Sequence, residues 1–286
     1  VSRSIQKEID EGRAFENAYV HLDLRHLGKE KIMTRLPGIR EICLLFAGLD
    51  PIERPIPIWP AAHYTMGGID CNADCETVLK GLYAAGECAC VSVHGANRLG
   101  GNSLLDCVVF GKVAGRKASE FSKSIGSGQD ESLVQSCLER EKERVAVFQK
   151  GNGSEEPSTL RDQARVILTE KVGMFRSREG LESALEQIRG LRTRFSNLRP
   201  IDIDNVFNLH LIRAYEVDSI LELAEIITAS ALDRNESRGA HVRLDFPQRD
   251  DEHFLKHTLA CYTPGGPRLD HAEVNITRYK PEARKY

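Results

Sequence analysis

Residues 94–106 read His94-Gly95-Ala96-Asn97-Arg98-Leu99-Gly100-Gly101-Asn102-Ser103-Leu104-Leu105-Asp106. This polar, glycine-rich segment runs into apolar residues, which predicts a loop followed by a buried helix. Glycines leave backbone N–H groups open, and a helix N-terminus favours anionic or electron-rich groups. The guanidinium of Arg98 can donate two parallel hydrogen bonds to a carboxylate. The segment therefore predicts a cofactor site beside an acidic substrate. The alternative is an ordinary loop with a helix N-cap at Asn102 or Ser103.

Two earlier segments carry further candidate ligand groups. His63 opens the segment HYTMGG, and it is either a ligand residue or a hydrogen-bonded core histidine. Glu87 ends the apolar segment GLYAAGE, residues 81–87, for which we predict a short strand. A carboxylate at the C-terminal end of such a strand can accept hydrogen bonds from ribose or ribityl hydroxyls. The alternative for Glu87 is a solvated loop glutamate.

The composition is that of an ordinary globular protein. The chain has 286 residues, 41% hydrophobic and 28% charged, which is enough for one large or two modest domains. A net charge of -3, with basic residues scattered among acids, gives no sign of nucleic-acid binding. No run of about 18 apolar residues predicts a membrane span. Because the first residue is Val1, we expect a fragment or a processed chain.

The eight cysteines do not form a metal-binding pattern. Cys71 and Cys75 are four residues apart, Cys88 and Cys90 are two apart, and the sequence contains no Cys-x-x-Cys. Zinc and iron–sulfur sites usually show a different paired spacing. We predict no metal site, structural or free thiols, and a reducing compartment.

The pattern of apolar residues predicts a mixed chain whose second half is helical. We expect a helix within Ser2–Gly12, a strand at 18–24, two helical pieces in 29–49 separated at Pro37-Gly38, and an extended Pro51–Pro60. A helix at 102–122 should bury the face that carries Leu105, Val108, Val109, Val113 and Ala114. After a flexible linker at 124–130, helices at 133–149, 159–170, 180–198 and 203–234 should form an antiparallel bundle. Strands are expected at 257–262 and 272–277.

A dense charged stretch, residues 236–251, follows the last long helix. It is interpreted as a redox-partner surface, as a buried ion-pair network, or as a solvated turn. His241, Arg238 and Arg243 could be mistaken for catalytic residues, and we favour a structural role for them.

Together, HYTMGG, GLYAAGE and HGANRLGGNSLLD resemble the succinate dehydrogenase/fumarate reductase flavoprotein subunit, and the chain resembles its C-terminal half only. The resemblance implies an α+β chain: the C-terminal part of an FAD-binding α/β domain with the remnant of a capping domain, followed by a helical bundle and a small C-terminal β-containing domain. The implied domains are residues 1–58 (capping), 59–124 (FAD-binding), 125–241 (bundle) and 242–286 (C-terminal).

The resemblance also implies roles for individual residues. His63 and Arg98 would bind a dicarboxylate, and Glu87, Asn102, Ser103 and Leu104 would contact FAD. The family's proton-shuttling arginine is expected before Val1, and Arg3 does not match it, so no catalytic residue is expected in this chain. The major part of the FAD site is likewise expected outside it.

The implied reaction interconverts succinate and fumarate by hydride transfer to or from FAD, in the tricarboxylic acid cycle or in anaerobic respiration. An iron–sulfur subunit would exchange electrons with the flavin. Membrane-anchor subunits would hold the complex indirectly at the inner face of the cytoplasmic membrane. The sequence leaves the direction of the reaction open. Two alternatives are an L-aspartate oxidase-like flavoenzyme, which shares the His63 and Arg98 motifs, and a non-catalytic fragment or interaction piece.

Overall fold

The computed structural model describes residues 1–125, 130–150, 152–199 and 206–282. The chain divides into two compact units, Val1–His63 and Tyr64–Tyr286. Each unit is described by itself.

The first unit combines short helices with one antiparallel pair of strands that are distant in sequence. Its elements are α1 (Ser2–Asp10), β1 (Val20–Leu22), α2 (Lys29–Arg35), α3 (Pro37–Ile42), a π-helical turn (Cys43–Ala47) and β2 (Ile56–Ile58). The strands pair antiparallel, with Val20 opposite Ile58. Pro37 occupies the first turn of α3, where its missing N–H costs no hydrogen bond, so the break between helices lies at Leu36 and not at Pro37-Gly38. Ile32 and Cys43 are buried in this unit.

The second unit opens with a parallel strand pair, β3 (Ile69–Asp70) and β4 (Ala89–Cys90). The predicted strand at 81–87 is wrong. Tyr83 makes an isolated bridge to Glu76, and residues Gly86–Cys88 form a 3₁₀ turn. Gly81 and Gly86 both have positive φ, 88° and 77°, and such residues cannot continue an extended strand. The glycines that frame this segment therefore turn the chain instead of letting it pair.

The predicted helix after the glycine-rich loop is confirmed as α4 (Asn102–Ser124). Two details of the prediction are wrong. The N-cap is Gly101, with φ 82°, so Asn102 and Ser103 already lie in the first turn. The apolar face is also not buried: Val108 is 70% exposed, whereas Asp106 is 3% exposed. The helix packs instead beside Asp106, where Cys107 lies against Gly86. A Cβ added to Gly86 would lie 3.1 Å from the Cys107 Sγ.

Four further helices are confirmed: α5 (Glu131–Lys150), α6 (Pro157–Lys171), α7 (Arg178–Phe195) and α8 (Leu209–Asp233). Their core contains Leu160, Leu181, Ile188, Val217 and Leu221, each at most 1% exposed, and Phe148 of α5 joins it. The apolar residues that recur at helical spacing are therefore core residues. Residues 126–129 of the predicted linker and the predicted helix start at 203–205 lie outside the described residues.

The C-terminal part contains the short helix α9 (Asp251–Phe254) and the antiparallel strands β5 (Lys256–Cys261) and β6 (Arg268–Glu273). The second strand begins at Arg268, before the predicted segment 272–277. Within the described ranges, no helix combines the length and apolarity that crossing a membrane requires.

The charged stretch after α8 is a buried ion-pair network and not a solvated turn. Glu236 is fully buried and accepts hydrogen bonds from Arg234 Nη1 at 2.6 Å and Arg238 Nε at 2.7 Å. Arg243, also fully buried, pairs with Asp245 at 2.8 Å. The ion pairs of Arg238 and Arg243 therefore agree with the structural role that the sequence analysis favours for them.

His241 makes this network sensitive to acid. Its Nδ1 accepts a hydrogen bond from Arg176 Nη1 at 2.6 Å, and its Nε2–H donates to the Arg234 carbonyl at 3.1 Å. Because an arginine only donates, the imidazole must be neutral to accept this bond. Burial, reinforced by the charge of Arg176, lowers the pKa of His241 from 6.5 to about 4.

The free energy of unfolding should therefore fall in acid. The unfolded chain binds a proton near pH 6.5, whereas the folded chain binds it only near pH 4, so stability decreases as the pH drops through this interval. We expect His241 to account for about 2 kcal/mol of loss between pH 7 and pH 5. Urea unfolding at both pH values measures it, with His241→Asn as control, since its amide oxygen can still accept from Arg176. An equal loss in the variant would contradict this role.

Candidate functional site

Arg98 lies on the loop between β4 and α4, and its guanidinium keeps donors available. Its backbone N–H lies 3.3 Å from Met66 Sδ, and its Nη1 donates to the Leu99 carbonyl at 3.0 Å. The guanidinium carbon stands 4.6 Å from the centre of the Tyr64 ring. Nε is buried without a hydrogen-bond partner among the residues that the structure describes. Such a guanidinium can still bind a carboxylate.

A buried polar cluster lies beside Arg98, and sequence reasoning missed it. The Tyr64 hydroxyl donates to Asp106 Oδ2 at 3.2 Å and lies 3.1 Å from His94 Nε2. His94 Nε2 is also 2.9 Å from Asp106 Oδ2. Burial and the Asp106 charge raise the pKa of Tyr64 to about 12, so its hydroxyl stays protonated and can donate. The three residues lie in two of the three quoted motifs, HYTMGG and HGANRLGGNSLLD, but the sequence spacing alone does not show that they meet.

The Arg98 loop also rests on the charged stretch that follows α8. The Ala240 N–H donates to the Ala96 carbonyl at 2.9 Å. Gly239 has φ 57°, and a Cβ there would stand 2.3 Å from the same carbonyl oxygen. A side chain at residue 239 would thus push away the loop that carries Arg98. A glycine such as Gly239 is a sequence signal that another part of the backbone comes close, but it does not show which part.

Glu87 and the start of α4 are the candidate cofactor contacts. Glu87 lies in the 3₁₀ turn before β4, where its Oε1 accepts from the Thr65 N–H at 3.1 Å. Gly101 has no side chain with which to cap α4. The Asn102 N–H donates to the Leu99 carbonyl at 3.2 Å, and the next N–H groups of the first turn have no side-chain cap. Leu104 in that turn is 74% exposed. Open donors at a positive helix end fit the electron-rich pyrimidine end of a flavin.

His63 is the last residue of the first compact unit, whereas Arg98, Glu87 and residues 102–104 belong to the second. His63 is exposed, which does not fit a buried core histidine. The structure does not gather the six predicted site residues within one unit, and their ligand roles remain predictions.

All eight cysteines, each within the described ranges, are free thiols, as predicted. In those same ranges no group of histidine, cysteine, aspartate and glutamate side chains could hold a metal ion.

Comparison with known proteins places this geometry in a class. A family model for an FAD binding domain matches residues 1–104, and one for a fumarate reductase flavoprotein C-terminal region matches residues 161–286. The fold and the site thus define an FAD-binding flavoprotein, and the prediction of FAD as cofactor is confirmed. Residues 1–104 include His63, Glu87, Arg98 and the first turn of α4.

Relatives specify the family. A fumarate reductase flavoprotein subunit from Serratia sp. is 44% identical over 93% of this chain and 45% of its own length. The corresponding Escherichia coli K12 subunit is 42% identical, with the same coverage. A solved E. coli quinol fumarate reductase FrdA mutant superposes with a TM-score of 0.93 at 40% identity, covering 99% of this chain and 49% of that one. This chain belongs to the succinate dehydrogenase/fumarate reductase flavoprotein family. It spans about half the length of the curated relatives it matches.

Proposed function

We propose that this chain supplies the dicarboxylate-binding loop and part of the FAD site of an oxidoreductase that interconverts succinate and fumarate. The observation that carries the proposal is Arg98, whose guanidinium keeps free donors on a loop that leads directly into an uncapped helix N-terminus. A carboxylate and a flavin are the ligands that such a pair of neighbouring sites suits.

In this proposal His63 and Arg98 hold the dicarboxylate. The planar fork of Arg98 fixes the direction of one carboxylate, and His63 donates a further hydrogen bond. Fixing the substrate in this way lowers the entropic part of the barrier. The positive charge of Arg98 also stabilises negative charge that develops on the carboxylate side in the transition state. Both residues bind and orient substrate, and we assign neither of them proton transfer.

Glu87, Asn102, Ser103 and Leu104 hold FAD in this proposal. Glu87 would accept hydrogen bonds from the cofactor's hydroxyl groups, and the first-turn N–H groups of α4 would donate to its ring. When bound, FAD supplies the chemical group that takes up or gives back the hydride. The dipole of α4 favours negative charge at that end of the ring, which makes reduction easier.

We further propose that an iron–sulfur subunit exchanges electrons with the flavin, and that membrane-anchor subunits hold the complex at the inner face of the cytoplasmic membrane. The relatives are named subunits, which supports partner chains. We propose the segments 1–58, 59–124, 125–241 and 242–286 as capping, FAD-binding, bundle and C-terminal parts. The unit boundary after His63 lies close to the first of these limits.

An activity test on the native preparation, with all polypeptides that copurify, decides the proposal. We expect flavin absorbance in the visible range and turnover of succinate with an artificial electron acceptor, or of fumarate with a reduced dye, on the order of 1–10³ s⁻¹. L-aspartate serves as the competing substrate. Preferential oxidation of L-aspartate would favour the oxidase alternative. A flavin-loaded preparation that turns over neither succinate nor fumarate would contradict the proposed function.

A further inference from the structure

We propose that Tyr64, His94 and Asp106 form a positioning network that holds the Arg98 guanidinium in its carboxylate-binding orientation. This inference rests on the proposed function of Arg98. It assigns a role to three residues that do not themselves touch substrate.

Arg98 has few anchors of its own. Among the described residues its guanidinium makes one hydrogen bond, to the carbonyl of its neighbour Leu99, and such a bond does not fix the distant end of the side chain. The flat face of Tyr64, 4.6 Å from the guanidinium carbon, is the surface against which that end lies. A cation over an aromatic face is attracted electrostatically and is also restricted to one plane. Tyr64 therefore sets the plane of the Arg98 fork.

The Tyr64 ring is in turn held at its opposite end. Its hydroxyl contacts Asp106 Oδ2 at 3.2 Å and His94 Nε2 at 3.1 Å, and the two rings meet edge to face at 5.3 Å and 88°. Asp106 belongs to α4 and is almost fully buried. The His94 side chain is 9% exposed. A rigid helix therefore fixes the ring, and the ring fixes the guanidinium.

Charge couples the same residues. An ionised Asp106 only accepts hydrogen bonds, so both the Tyr64 hydroxyl and the His94 Nε2–H donate to it. A phenol that donates to a carboxylate gains electron density on its ring, which strengthens its attraction for the Arg98 cation. His94 and Asp106 begin and end the segment that carries Arg98. The segment thus contains both the ligand residue and two of its supports.

The test uses the flavin-loaded protein with its full complement of chains. The variants are Tyr64→Leu, Tyr64→Phe and Asp106→Asn, and Tyr262→Phe, at an exposed tyrosine, is the matched control. The dissociation constant of succinate is measured from the change in flavin absorbance, which needs no turnover. Flavin content and melting temperature show whether each variant is folded and loaded.

We expect Tyr64→Leu to weaken succinate binding about 10-fold, because it removes the aromatic face. Tyr64→Phe keeps the face and should weaken binding about 3-fold. In steady state the loss should fall mainly on KM, as befits a residue that positions a binding group. Tyr262→Phe should bind succinate as the parent does. A merely structural role would lower the melting temperature and leave the dissociation constant unchanged.

The outcomes separate this inference from the proposed function. If Arg98→Lys weakens binding but Tyr64→Leu stays within twofold of the parent, the network is overturned and the function stands. If Arg98→Lys also binds normally, the proposed function itself fails. Should Tyr64→Leu not fold, the Tyr64→Phe/Asp106→Asn double variant decides. If the double variant binds succinate no more weakly than the single variant with the larger loss, the two residues act through one network. If the two single losses of affinity multiply in the double variant, the network is contradicted.

Discussion

Arg98→Lys is expected to reduce kcat/KM for succinate or fumarate about 10²–10³-fold in the flavin-loaded enzyme. Lysine keeps the positive charge but replaces a planar fork of five donors with a single flexible ammonium group. It therefore cannot make two parallel hydrogen bonds to a carboxylate. Lysine also loses the flat contact that the guanidinium makes with Tyr64, at 4.6 Å from the ring centre. Steady-state rates at saturating and limiting substrate measure the loss.

Arg116→Lys is the matched control, because Arg116 is an exposed arginine on α4. We expect it to leave both kcat and KM unchanged, so any loss in the Arg98 variant reflects the site and not the substitution type. Flavin absorbance should be equal in the two variants. Near-native turnover of Arg98→Lys would overturn the assignment of Arg98 as the carboxylate-binding residue.

The helices were the part of the fold that the sequence predicted best. Their apolar residues recur at helical spacing because α6, α7 and α8 each bury one stripe against the others, as Leu160, Leu181 and Leu221 show. The same reasoning failed on the apolar face of α4. The spacing of apolar residues indicates which face of a helix can be buried. It does not indicate whether the described residues cover that face, and Val108 is 70% exposed.

Segments with several glycines were harder to predict. The run GLYAAGE has the composition of a strand, yet the positive φ values of Gly81 and Gly86 turn the chain twice. A glycine permits both extended and left-handed backbone, so its presence alone does not distinguish them. Which conformation forms depends on neighbours distant in sequence, here Cys107 beside Gly86 and Phe121 beside Gly81.

The sequence was enough to propose ligand residues for the candidate site, but it did not reveal the residues that support them. Arg98 and Glu87 were recognised from the chemistry of their side chains and from family resemblance. The contact between Tyr64 and Asp106 joins residues 42 positions apart, and no local pattern encodes such a pair. In the charged stretch, by contrast, the density of oppositely charged residues close in sequence was a usable signal, as the pair of Glu236 and Arg238 shows.

Arg243→Met should destabilise the protein by about 1–3 kcal/mol, since it removes a fully buried guanidinium and leaves its backbone carbonyl acceptors without a donor. Arg243 is fully buried, and its guanidinium pairs with both oxygens of Asp245, at 2.9 and 2.8 Å. It also donates to the carbonyls of Ala231 and Leu232, at 3.1 and 3.2 Å, in the last turn of α8. Methionine fills similar space but satisfies none of these acceptors. Urea unfolding at pH 7 measures the change.

Two companion variants separate the causes of that loss. Arg213→Met, at an exposed position of α8, should change stability by less than about 0.5 kcal/mol. Asp245→Asn added to Arg243→Met should change stability little further. Arg243 holds the pKa of Asp245 at about 2, but Asp245 is exposed, so its carboxylate is solvated once the arginine is removed. The loss then belongs mainly to the helix carbonyls, which methionine leaves without a donor. If Arg243→Met alone were as stable as Arg213→Met, the network would not hold α8 to the stretch that supports the Arg98 loop.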